Sequence, residues 1–456
     1  MSAEPAAAAV GSVRAVRVIV VGGGIGGLTT ALMLHQRGID VQVYESVRDI
    51  QPLGVGINVL PHAMAQLDSL GALERIADLG VRTSELCFFN RHGQRIWREP
   101  RGLDAGYPVP QISVHRGRFQ LTLLDLVRER LGADAVRTGH HLLAATTDGP
   151  RVVVRFLDRS LAGAHDVGAH DVGAHDVGAH DVEVLDAEVL DEADLVVAAD
   201  GIHSAVRAAW HPHEGPPKWS GAFMWRAISR SRPFLTGRSM FMAGHKQVKF
   251  VAYPIGPVEA DGLQTVNWIA ELDRSGEALI GRESWNRVGD IADFLPRFAD
   301  WRFDWLDVPT LIESADAVYE FPMVDRDPLD TWTYGRVTLL GDAAHPMYPV
   351  GSNGSSQAIL DARALADALA AEPSVEAALA RYDSERRPAT GRIVMSNRQH
   401  GPERVLDMAE ERAPGGFADA SDVFAPGELE GIAATYKQTA GFTTAQVTTA
   451  QVTTAS

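Results

Sequence analysis

A short apolar run, a glycine-rich turn and a helical pattern follow one another within residues 17–45. Val18–Val21 is uninterrupted and apolar, which is typical of a strand buried on both faces of a parallel sheet. The pattern then predicts a helix over Leu28–Arg37 and a second buried strand at Val41–Tyr44, which ends at Glu45. A strand, a crossover helix and a second strand in this order predict an α/β fold.

Further elements are predicted in the first half of the chain. A glycine turn leads into a helix that carries Ala63, Leu67 and Leu70 on one face. Residues Leu86–Trp97 alternate around a His-Gly turn and predict a β-hairpin, whereas Phe119–Leu131 predicts an amphipathic helix.

The pattern in the second half of the chain predicts both antiparallel strands and buried strands. Val152–Phe156 and Val182–Val189 predict an antiparallel hairpin, and Asp194–Ala199 and Val337–Leu340 predict buried strands. Residues 211–325 are rich in Trp, Phe and β-forming residues, which favours antiparallel strands with an aromatic face. After the last buried strand, a loop with proline and glycine leads into a long helix and then a final helical stretch.

Two segments consist of short tandem repeats. The pentapeptide GAHDV occurs four times from Gly163 to Val182, and glycine in every unit predicts an expanded hairpin loop rather than a solenoid. Its histidines and aspartates leave adventitious nickel or zinc binding open, but we predict no metal centre there. The tail Thr443–Ser456 repeats TTAQV and is predicted to be disordered.

Composition narrows the class of protein. A chain of 456 residues exceeds one ordinary core and predicts two or three domains. The formal net charge of −17 argues against nucleic-acid or anionic-membrane partners. Cys87 is the only cysteine, which excludes an intrachain disulfide and a cysteine-ligated metal. We find no signal peptide and no apolar segment of the ~20 residues that span a bilayer, so we expect a cytoplasmic protein without a membrane partner.

The turn after the first strand has the spacing G-x-G-x-x-G at Gly22, Gly24 and Gly27. In a strand–helix–strand unit the first glycine allows the tight turn, the second lets a pyrophosphate approach the backbone, and the third lets helix and strand pack closely. The acid that ends the second strand, Glu45, can accept from a ribose hydroxyl, and the helix N-terminus favours phosphate. The unit therefore predicts a dinucleotide site.

Two other buried strands also end in small or acidic residues. Asp200-Gly201 follows the strand at 194–199, and Gly341-Asp342 follows the strand at 337–340. Ligands of open α/β sheets bind at the carboxyl ends of strands, so we predict that these ends converge with Gly22–Gly27 on one extended cofactor. NAD alone would not require the third of these motifs, Gly341-Asp342.

These motifs together resemble the single-component flavoprotein aromatic hydroxylases, the class of p-hydroxybenzoate and salicylate hydroxylases. The resemblance is carried by G-x-G-x-x-G, by DGIHSAVR at Asp200–Arg207 and by GDAAHP at Gly341–Pro346, in the family's order over about 400 residues. Within this class FMWR, VAYPI, FPMVDRDPL and GSNGSSQAILDA look most like phenazine-type hydroxylases. One departure is Ser356, which stands where asparagine is common in the wider family.

The resemblance implies an α/β fold with a glutathione-reductase-like Rossmann FAD domain, an inserted mixed or antiparallel sheet that forms a substrate domain, and C-terminal helices. We predict the FAD-binding domain at residues 1–80, 111–210 (with the 163–182 loop insert) and 326–400, the substrate domain at 81–110 and 211–325, and a C-terminal extension at 401–456.

The resemblance also assigns cofactor contacts. Glu45 would bind the adenosine ribose, Asp342 would accept from the ribityl hydroxyls, and Asp200 and Arg207 would support the flavin site. The other implied contacts are Gly22, Gly24, Ile25, Gly26 and Gly27 for the pyrophosphate, Arg116 and Gln120 along the ribityl channel, and Gly354 at the helix that faces the flavin.

The implied reaction is hydroxylation, with or without decarboxylation, of an aromatic or N-heteroaromatic molecule. NADH or NADPH would dock transiently and reduce FAD, since no second G-x-G-x-x-G exists, and O₂ would then form a flavin hydroperoxide that transfers oxygen. Candidate substrate contacts are Trp225, Phe250, Tyr253, Met347, Tyr348 and Pro349, and candidates for activating the ring are His245, Tyr253 and Arg226. A monomer or a homodimer is expected.

Two alternatives stay open at this point. An oxidase, a reductase or a halogenase could use the same FAD scaffold, although the W-x-W-x-I-P signature of flavin halogenases is absent. A non-catalytic flavin-binding or interaction protein, in which the His-Asp loop is the functional element, is the second alternative.

Overall fold

The computed structural model describes residues 16–159, 187–276 and 287–455. The predicted GAHDV loop, and residues 182–186 of the predicted hairpin strand, lie outside these ranges. None of the helices in the described ranges combines the length and the apolar character that a membrane crossing requires.

The strands of the described residues, in chain order, are β1 Arg17–Val21, β2 Asp40–Tyr44, β3 Gly56–Val59, β4 Val81–Arg82, β5 Glu85–Phe89, β6 Arg95–Pro100, β7 Ile112–His115, β8 Val136–Arg137, β9 His140–Asp148, β10 Arg151–Asp158, β11 Glu188–Ala193, β12 Leu195–Ala198, β13 Lys218–Ser231, β14 Ser239–His245, β15 Val248–Val258, β16 Gln264–Asp273, β17 Arg302–Phe303, β18 Leu306–Asp307, β19 Val318–Asp325, β20 Thr333–Tyr334 and β21 Val337–Leu339. The α-helices are α1 Ile25–Gln36, α2 Pro61–Ser69, α3 Leu73–Ala77, α4 Arg116–Leu131, α5 Ala205–Trp210, α6 Val308–Glu313, α7 Gly354–Ala371, α8 Val375–Asn397, α9 Arg404–Arg412, α10 Glu428–Ala440 and α11 Thr444–Ala455.

A six-stranded sheet in the order β20-β21-β12-β1-β2-β8 carries the predicted strand–helix–strand unit. Its strands run parallel except for the edge strand β20. Side chains of β1 and β12 are almost fully buried, because helices α1, α4 and α7 pack beside one another on the sheet and Val152, Val154 and Phe156 of β10 join the same core from the three-stranded sheet β11-β10-β9. Burial on both faces explains the continuous apolar runs. The predicted Rossmann-type α/β fold is confirmed.

A second, seven-stranded sheet in the order β19-β13-β16-β15-β14-β5-β6 forms the other large layer. All of its neighbouring strands are antiparallel except β14 and β5, which pair in parallel. The predicted hairpin at 86–97 is confirmed as β5 and β6, and it lies at the edge of this sheet. The predicted strand Val152–Phe156 is confirmed within β10, which pairs antiparallel with β11; of the described residues of the predicted partner strand, β11 includes 188 and 189, and it continues to Ala193. The domain boundaries remain predictions.

The two faces of the seven-stranded sheet have different partners. One face, which includes Trp225, Phe250 and Trp268, packs against residues 291–312 and forms a core that is rich in aromatic rings. The opposite face presents Met224, Tyr253 and other side chains to the loop at 348–350 and to helix α9. Because adjacent residues of a strand point to opposite faces, position within each strand decides which side chains can reach the first sheet.

The C-terminal tail differs from the prediction. Residues 444–455 form α11, so the expected disorder of this segment is wrong. Two threonine hydroxyls donate to carbonyls four residues earlier, from Thr448 to Thr444 and from Thr449 to Ala445, both at 2.9 Å. Val447 is buried in the main core, since α11 packs on α2. Tertiary packing therefore stabilises a helix that its polar repeat did not predict.

Candidate active site

The candidate site follows the carboxyl edge of the parallel sheet. Strands β21, β12, β1 and β2 are consecutive neighbours there, and each ends in one of the predicted motifs. Asp342, Asp200, Gly22–Gly27 and Glu45 therefore occur in this order along the edge. With about 4.8 Å between strands, the row extends over roughly 14 Å before side chains are counted. The strand order confirms that the three motifs lie side by side on one edge of the sheet, which we call the cleft; that they bind one cofactor remains a prediction.

The glycine turn has the geometry that its spacing predicts. Gly22 has a φ of +108°, and a Cβ atom there would lie 2.3 Å from the carbonyl oxygen of Ala199. A Cβ on Gly27 would lie 1.9 Å from the oxygen of Gly22, whereas Gly24 has open space around its Cβ position. The first and third glycines are thus required for packing. The second leaves room for a ligand above the N-terminus of α1.

Glu45 and Gln120 both contact this turn. Glu45 Oε2 accepts from the amide of Gly23 at 2.7 Å, and Oε1 accepts from the amide of Val47 at 2.9 Å. Gln120 Nε2, on α4, donates to the carbonyl of Gly23 at 2.9 Å. The half-buried Glu45 carboxylate is therefore held at the edge of the cleft by backbone donors.

Asp200 contributes an acceptor that the protein leaves unused. Its Oδ2 accepts from the amide of Ala205 at 2.8 Å, whereas its buried Oδ1 has no partner among the described residues. Burial raises the pKa of this carboxyl group. A buried acceptor without a partner is costly, so it indicates a position where a ligand donates.

Asp342, at the carboxyl end of β21, is accessible to solvent. Its side chain is exposed, but the surrounding protein desolvates it and raises the pKa of the carboxyl group, an effect that His345 and Arg116 partly oppose. Gly354, the first residue of α7, has its Cβ position 4.0 Å from Asp342 Oδ1. Arg116, at the start of α4, is exposed beside Gly54. Asp342, Arg116 and Gly354 therefore line one section of the cleft.

A buried network that the sequence analysis did not identify fixes the 341–346 loop. Asp361 on α7 accepts from His345 Nε2 at 2.5 Å, from Arg386 Nε at 2.7 Å and from the amide of Gly341 at 3.2 Å. Its side chain is completely buried. Burial opposes its ionisation, but His345 and Arg386 hold the pKa of Asp361 below its usual value. The available signal for this network in the sequence was Asp361, an aspartate on an otherwise apolar face of the predicted helix.

Arg207 links two of the motifs. Its guanidinium is almost fully buried and donates to the carbonyls of Ala343 and Ala344, at 3.1 and 2.8 Å. It also forms an ion pair with Glu214, with the shortest contact at 2.5 Å. Arg207 thus holds the loop after β12 against the loop after β21 and has a positioning role.

The second sheet meets the cleft at Gly56 on β3. The carbonyl of Gly56 accepts from Arg226 Nη2 at 2.9 Å and from Tyr253 Oη at 2.8 Å, and its amide donates to Asn267 Oδ1 at 2.7 Å. A Cβ on Gly56 would lie 2.6 Å from Asn267, so only glycine fits this junction. Asn267 was missed by the sequence analysis because no motif marks it.

Two of these side chains were candidates for activating the ring. Burial raises the pKa of Tyr253 to about 12, so its hydroxyl is protonated at neutral pH and donates. Burial also lowers the pKa of Arg226, with a smaller effect of Arg116, and its Nε is a buried donor without a hydrogen-bond partner in the described ranges. The structure therefore favours these residues as donors rather than as bases.

The structure places three other candidates elsewhere. Trp225 and Phe250 are fully buried on the opposite face of the seven-stranded sheet, where Trp225 stacks on Phe294 at 4.9 Å. His245 pairs with Val248 at the end of β14, and Tyr253 is five residues further along β15. At 3.3 Å per residue this separation is roughly 16 Å. Strand alternation thus removes Trp225 and Phe250 from the predicted substrate contacts, and distance along the strands separates His245 from Tyr253. Composition alone did not reveal either effect.

A cavity of about 380 Å³ lies between the exposed end of the seven-stranded sheet, the 348–350 loop and the segment after α8. Tyr348 and Val350 line it, together with Ala222 and Met323 from the sheet. Pro349 is exposed, and Met347 packs against the first core instead. Of the three predicted loop contacts, Tyr348 is the one that reaches the cavity.

The polar wall of the cavity is a buried ionic cluster. Lys249 Nζ lies 2.9 Å from Glu271 and 2.5 Å from Glu403, and all three side chains are less than 10% exposed. Burial lowers the pKa of Lys249, but the two carboxylates more than compensate and raise it. Burial raises the pKa of Glu271. The sequence offered no signal for this cluster, because its members come from separate elements.

Comparison with known proteins identifies the family. The model of the FAD binding domain family matches residues 15–397. The chain is 45% identical over 384 residues to phenazine 1,6-dicarboxylic acid hydroxylase PhzS of Lysobacter antibioticus, which covers 84% of this chain and 89% of that protein. It is 30% identical over 373 residues to aurachin C monooxygenase/isomerase of Stigmatella aurantiaca, covering 81% of this chain and 84% of the relative.

Solved structures share the fold. Klebsiella pneumoniae HpxO, complexed with FAD and uric acid, superposes with a TM-score of 0.70 at 22% identity, covering 92% of this chain and 96% of that chain. A salicylate hydroxylase substrate complex gives a TM-score of 0.67 at 21% identity, covering 93% and 98%. The chain therefore belongs to the FAD binding domain family and is an FAD-dependent aromatic hydroxylase.

Proposed function

We propose that this enzyme hydroxylates a fused nitrogen-heteroaromatic acid of the phenazine type, with NAD(P)H and O₂ as co-substrates. The observation that carries the substrate class is the 45% identity to a phenazine dicarboxylic acid hydroxylase over most of both chains. The cavity beside Tyr348 supports it, since about 380 Å³ lies within the range of pockets for compact ring systems.

FAD would bind in an extended orientation along the carboxyl edge of the parallel sheet. Glu45 would accept from the adenosine ribose, and the backbone of Gly22–Gly27 with the N-terminus of α1 would bind the pyrophosphate. The unused acceptor Asp200 Oδ1 and the accessible carboxylate of Asp342 would accept from hydroxyl or amide donors of the cofactor, with Arg116 near Asp342 and Gln120 at the glycine turn. The flavin ring would then lie near Gly354, between the first domain and the sheet.

Bound FAD would supply the redox and oxygen chemistry of the reaction. The protein contributes fixed charge and geometry: the N-terminus of α7 would present backbone donors and a positive dipole end to the flavin and would stabilise negative charge there. Arg226, whose Nε has no partner among the described residues, would donate to a polar group of the substrate or cofactor, whereas Tyr253 donates its single hydroxyl proton to Gly56 and holds that junction. The apolar side chains around Tyr348 would exclude water from the reacting ring.

The substrate proposal is tested with the purified, FAD-loaded enzyme. We expect NAD(P)H oxidation to accelerate most with phenazine mono- and dicarboxylates, and mass spectrometry to detect a product with one added oxygen or with a carboxylate replaced by hydroxyl. Phenazine without a carboxylate, quinoline, salicylate and a polyketide-type phenol serve as comparison compounds. Fastest coupled turnover of salicylate or the phenol would reject the fused heteroaromatic class, and NAD(P)H oxidation without any oxygenated product would favour an oxidase or reductase.

Glu45→Ala is expected to weaken FAD binding by roughly tenfold or more, since a charge-assisted hydrogen bond to the ribose is lost. The variant also loses the acceptor for the amides of Gly23 and Val47. Equilibrium titration of FAD-free protein with FAD measures the dissociation constant. Asp40→Ala, an exposed position at the start of the same strand, is the control that should leave it unchanged. An unaltered constant in Glu45→Ala contradicts the ribose assignment.

A further inference from the structure

The loop that leads into α7 has an unusual backbone. Gly351 and Ser352 have φ values of +68° and +57°, so two consecutive residues adopt the left-handed conformation immediately before Asn353 and the helix. Serine rarely adopts this conformation, which persists only where surrounding contacts impose it. The same loop contributes Tyr348 and Val350 to the cavity. Its shape therefore sets both the start of α7 and one wall of the cavity.

The contacts that impose this shape come from the C-terminal part of the chain. The Tyr436 hydroxyl, on α10, lies 3.1 Å from the carbonyl of Val350 and 3.0 Å from Asn397 Oδ1, and it accepts from Asn353 Nδ2 at 2.9 Å. A Cβ on Gly351 would lie 2.1 Å from that hydroxyl, so the loop backbone rests directly on the tyrosine. Tyr436 is 5% exposed.

Two asparagines extend this network along the loop. Asn397 Nδ2 donates to the carbonyl of Tyr348 at 3.0 Å, and Asn353 Nδ2 also donates to the carbonyl of Gly351 at 3.2 Å. Both side chains are almost completely buried. The carbonyls of three loop residues are thus tied to one cluster, which we call the Tyr436 cluster: Tyr436, Asn353 and Asn397. Its central member lies outside residues 15–397, the part that the family model matches.

We propose that Tyr436 is a positioning residue for the reaction: it holds the 348–354 loop so that the N-terminus of α7 is aimed at the flavin and Tyr348 is aimed at the substrate. This inference rests on the proposed placement of FAD and substrate. The C-terminal extension is accordingly part of the active-site support. Loosening the loop would weaken the fixed donors at the flavin and admit water, so reduced oxygen would be released as peroxide more often.

Tyr436→Phe tests the role, because it removes the hydroxyl and keeps the ring that fills the space below Gly351. Tyr107→Phe is the matched control. The Tyr107 hydroxyl is also buried and donates to the carbonyl of Phe442 at 2.5 Å, so it anchors the same C-terminal segment without contacting the loop. Each variant loses one hydroxyl from a buried tyrosine.

The first readout needs neither cofactor nor turnover. Amide hydrogen exchange of FAD-free protein should accelerate at residues 350–357 in Tyr436→Phe by roughly three- to tenfold, as the loss of one hydrogen bond allows, and should not change there in Tyr107→Phe. Equal exchange in wild type and Tyr436→Phe would overturn the proposal. The same acceleration in both variants would also overturn it, since docking of the whole extension would then be responsible.

The second readout is the enzyme with FAD and substrate. Product formed per NAD(P)H consumed should fall roughly two- to tenfold in Tyr436→Phe, the hydrogen peroxide yield should rise, and the flavin reduction potential should become more negative, with KM for NAD(P)H unchanged. If Tyr436→Phe keeps the wild-type amount of product per NAD(P)H and the wild-type flavin reduction potential, the positioning role is overturned, even if loop exchange increases. Faster loop exchange together with no hydroxylation by wild type would instead count against the proposed function, so the two failures are distinguishable.

Discussion

Asp342→Ala is expected to weaken FAD binding by roughly 10- to 100-fold, because a hydrogen bond to a charged group contributes about 1.5–3 kcal/mol. The residue is exposed at the carboxyl edge of the parallel sheet, and its carboxylate makes no hydrogen bond within the described part of the chain. Its removal should therefore leave the folding of FAD-free protein almost unchanged, and the variant should purify with much less bound FAD. Fluorescence titration gives the dissociation constant, and thermal unfolding of FAD-free protein gives the stability.

The control for this prediction is Asp304→Ala. Asp304 is an exposed aspartate in the turn between β17 and β18, a segment that packs against the aromatic face of the seven-stranded sheet, remote from the ends of the parallel strands. It should retain wild-type FAD affinity and stability. Full FAD occupancy in Asp342→Ala at micromolar protein would contradict the assignment of Asp342 to the ribityl hydroxyls. A large loss of stability in FAD-free Asp342→Ala would show a structural role instead.

Asp361→Ala is expected to produce the largest loss of stability, about 3–5 kcal/mol, since it leaves buried cationic and polar partners uncompensated. Asp361 is the common acceptor of His345, Arg386 and the amide of Gly341. The 341–346 loop would be released with it, so FAD retention should fall as well. Urea unfolding of FAD-free protein, monitored by far-UV circular dichroism, measures the midpoint and the free energy of unfolding.

The acid dependence of this contribution follows from the lowered pKa. A carboxyl group whose pKa is lower in the folded than in the unfolded protein stabilises the fold above the unfolded value of about 3.9 and loses this effect as pH falls through the folded value. The difference between wild type and Asp361→Ala should therefore be complete at neutral pH and shrink only in strong acid. A difference that instead grows on acidification would contradict the ionised, paired aspartate.

Asp367→Ala on the same helix is the matched control. Asp367 is one-third exposed and pairs with Arg363 at 2.6 Å and with Arg37. Partly exposed ion pairs contribute about 0–1 kcal/mol, so this variant should lose little stability. Comparable losses at positions 361 and 367 would mean that helix propensity, rather than the buried network, accounts for the effect.

Much of the FAD-binding half could be predicted from the sequence. The turn Gly22–Gly27, the buried strands and the acid at Glu45 form a local pattern in which spacing alone dictates geometry. Asp200 and Asp342 were also predicted correctly to lie on the same edge of the sheet, since each follows a buried strand and parallel strands align their carboxyl ends. Their individual roles in binding remain predictions that the variants above test.

The substrate side could be predicted only in outline. Composition indicated a β-rich region with aromatic side chains, but strand alternation placed Trp225 and Phe250 in the aromatic core and Tyr253 on the opposite face, where its hydroxyl contacts Gly56. A one-residue difference in position exchanges the two faces, and composition does not contain that information. The junction at Gly56 with Asn267 likewise joins residues 211 positions apart.

By itself, then, the sequence determined the α/β class, the dinucleotide turn and the row of motifs at the strand ends, because these depend on short-range pattern and on the alignment of parallel strands. The tertiary structure alone decided the face of the second sheet, the ionic cluster around Lys249, the Asp361 network and the support of the α7 loop by Tyr436. Each of these is a contact between distant segments, and its energy depends on burial and geometry that appear only when the chain is packed.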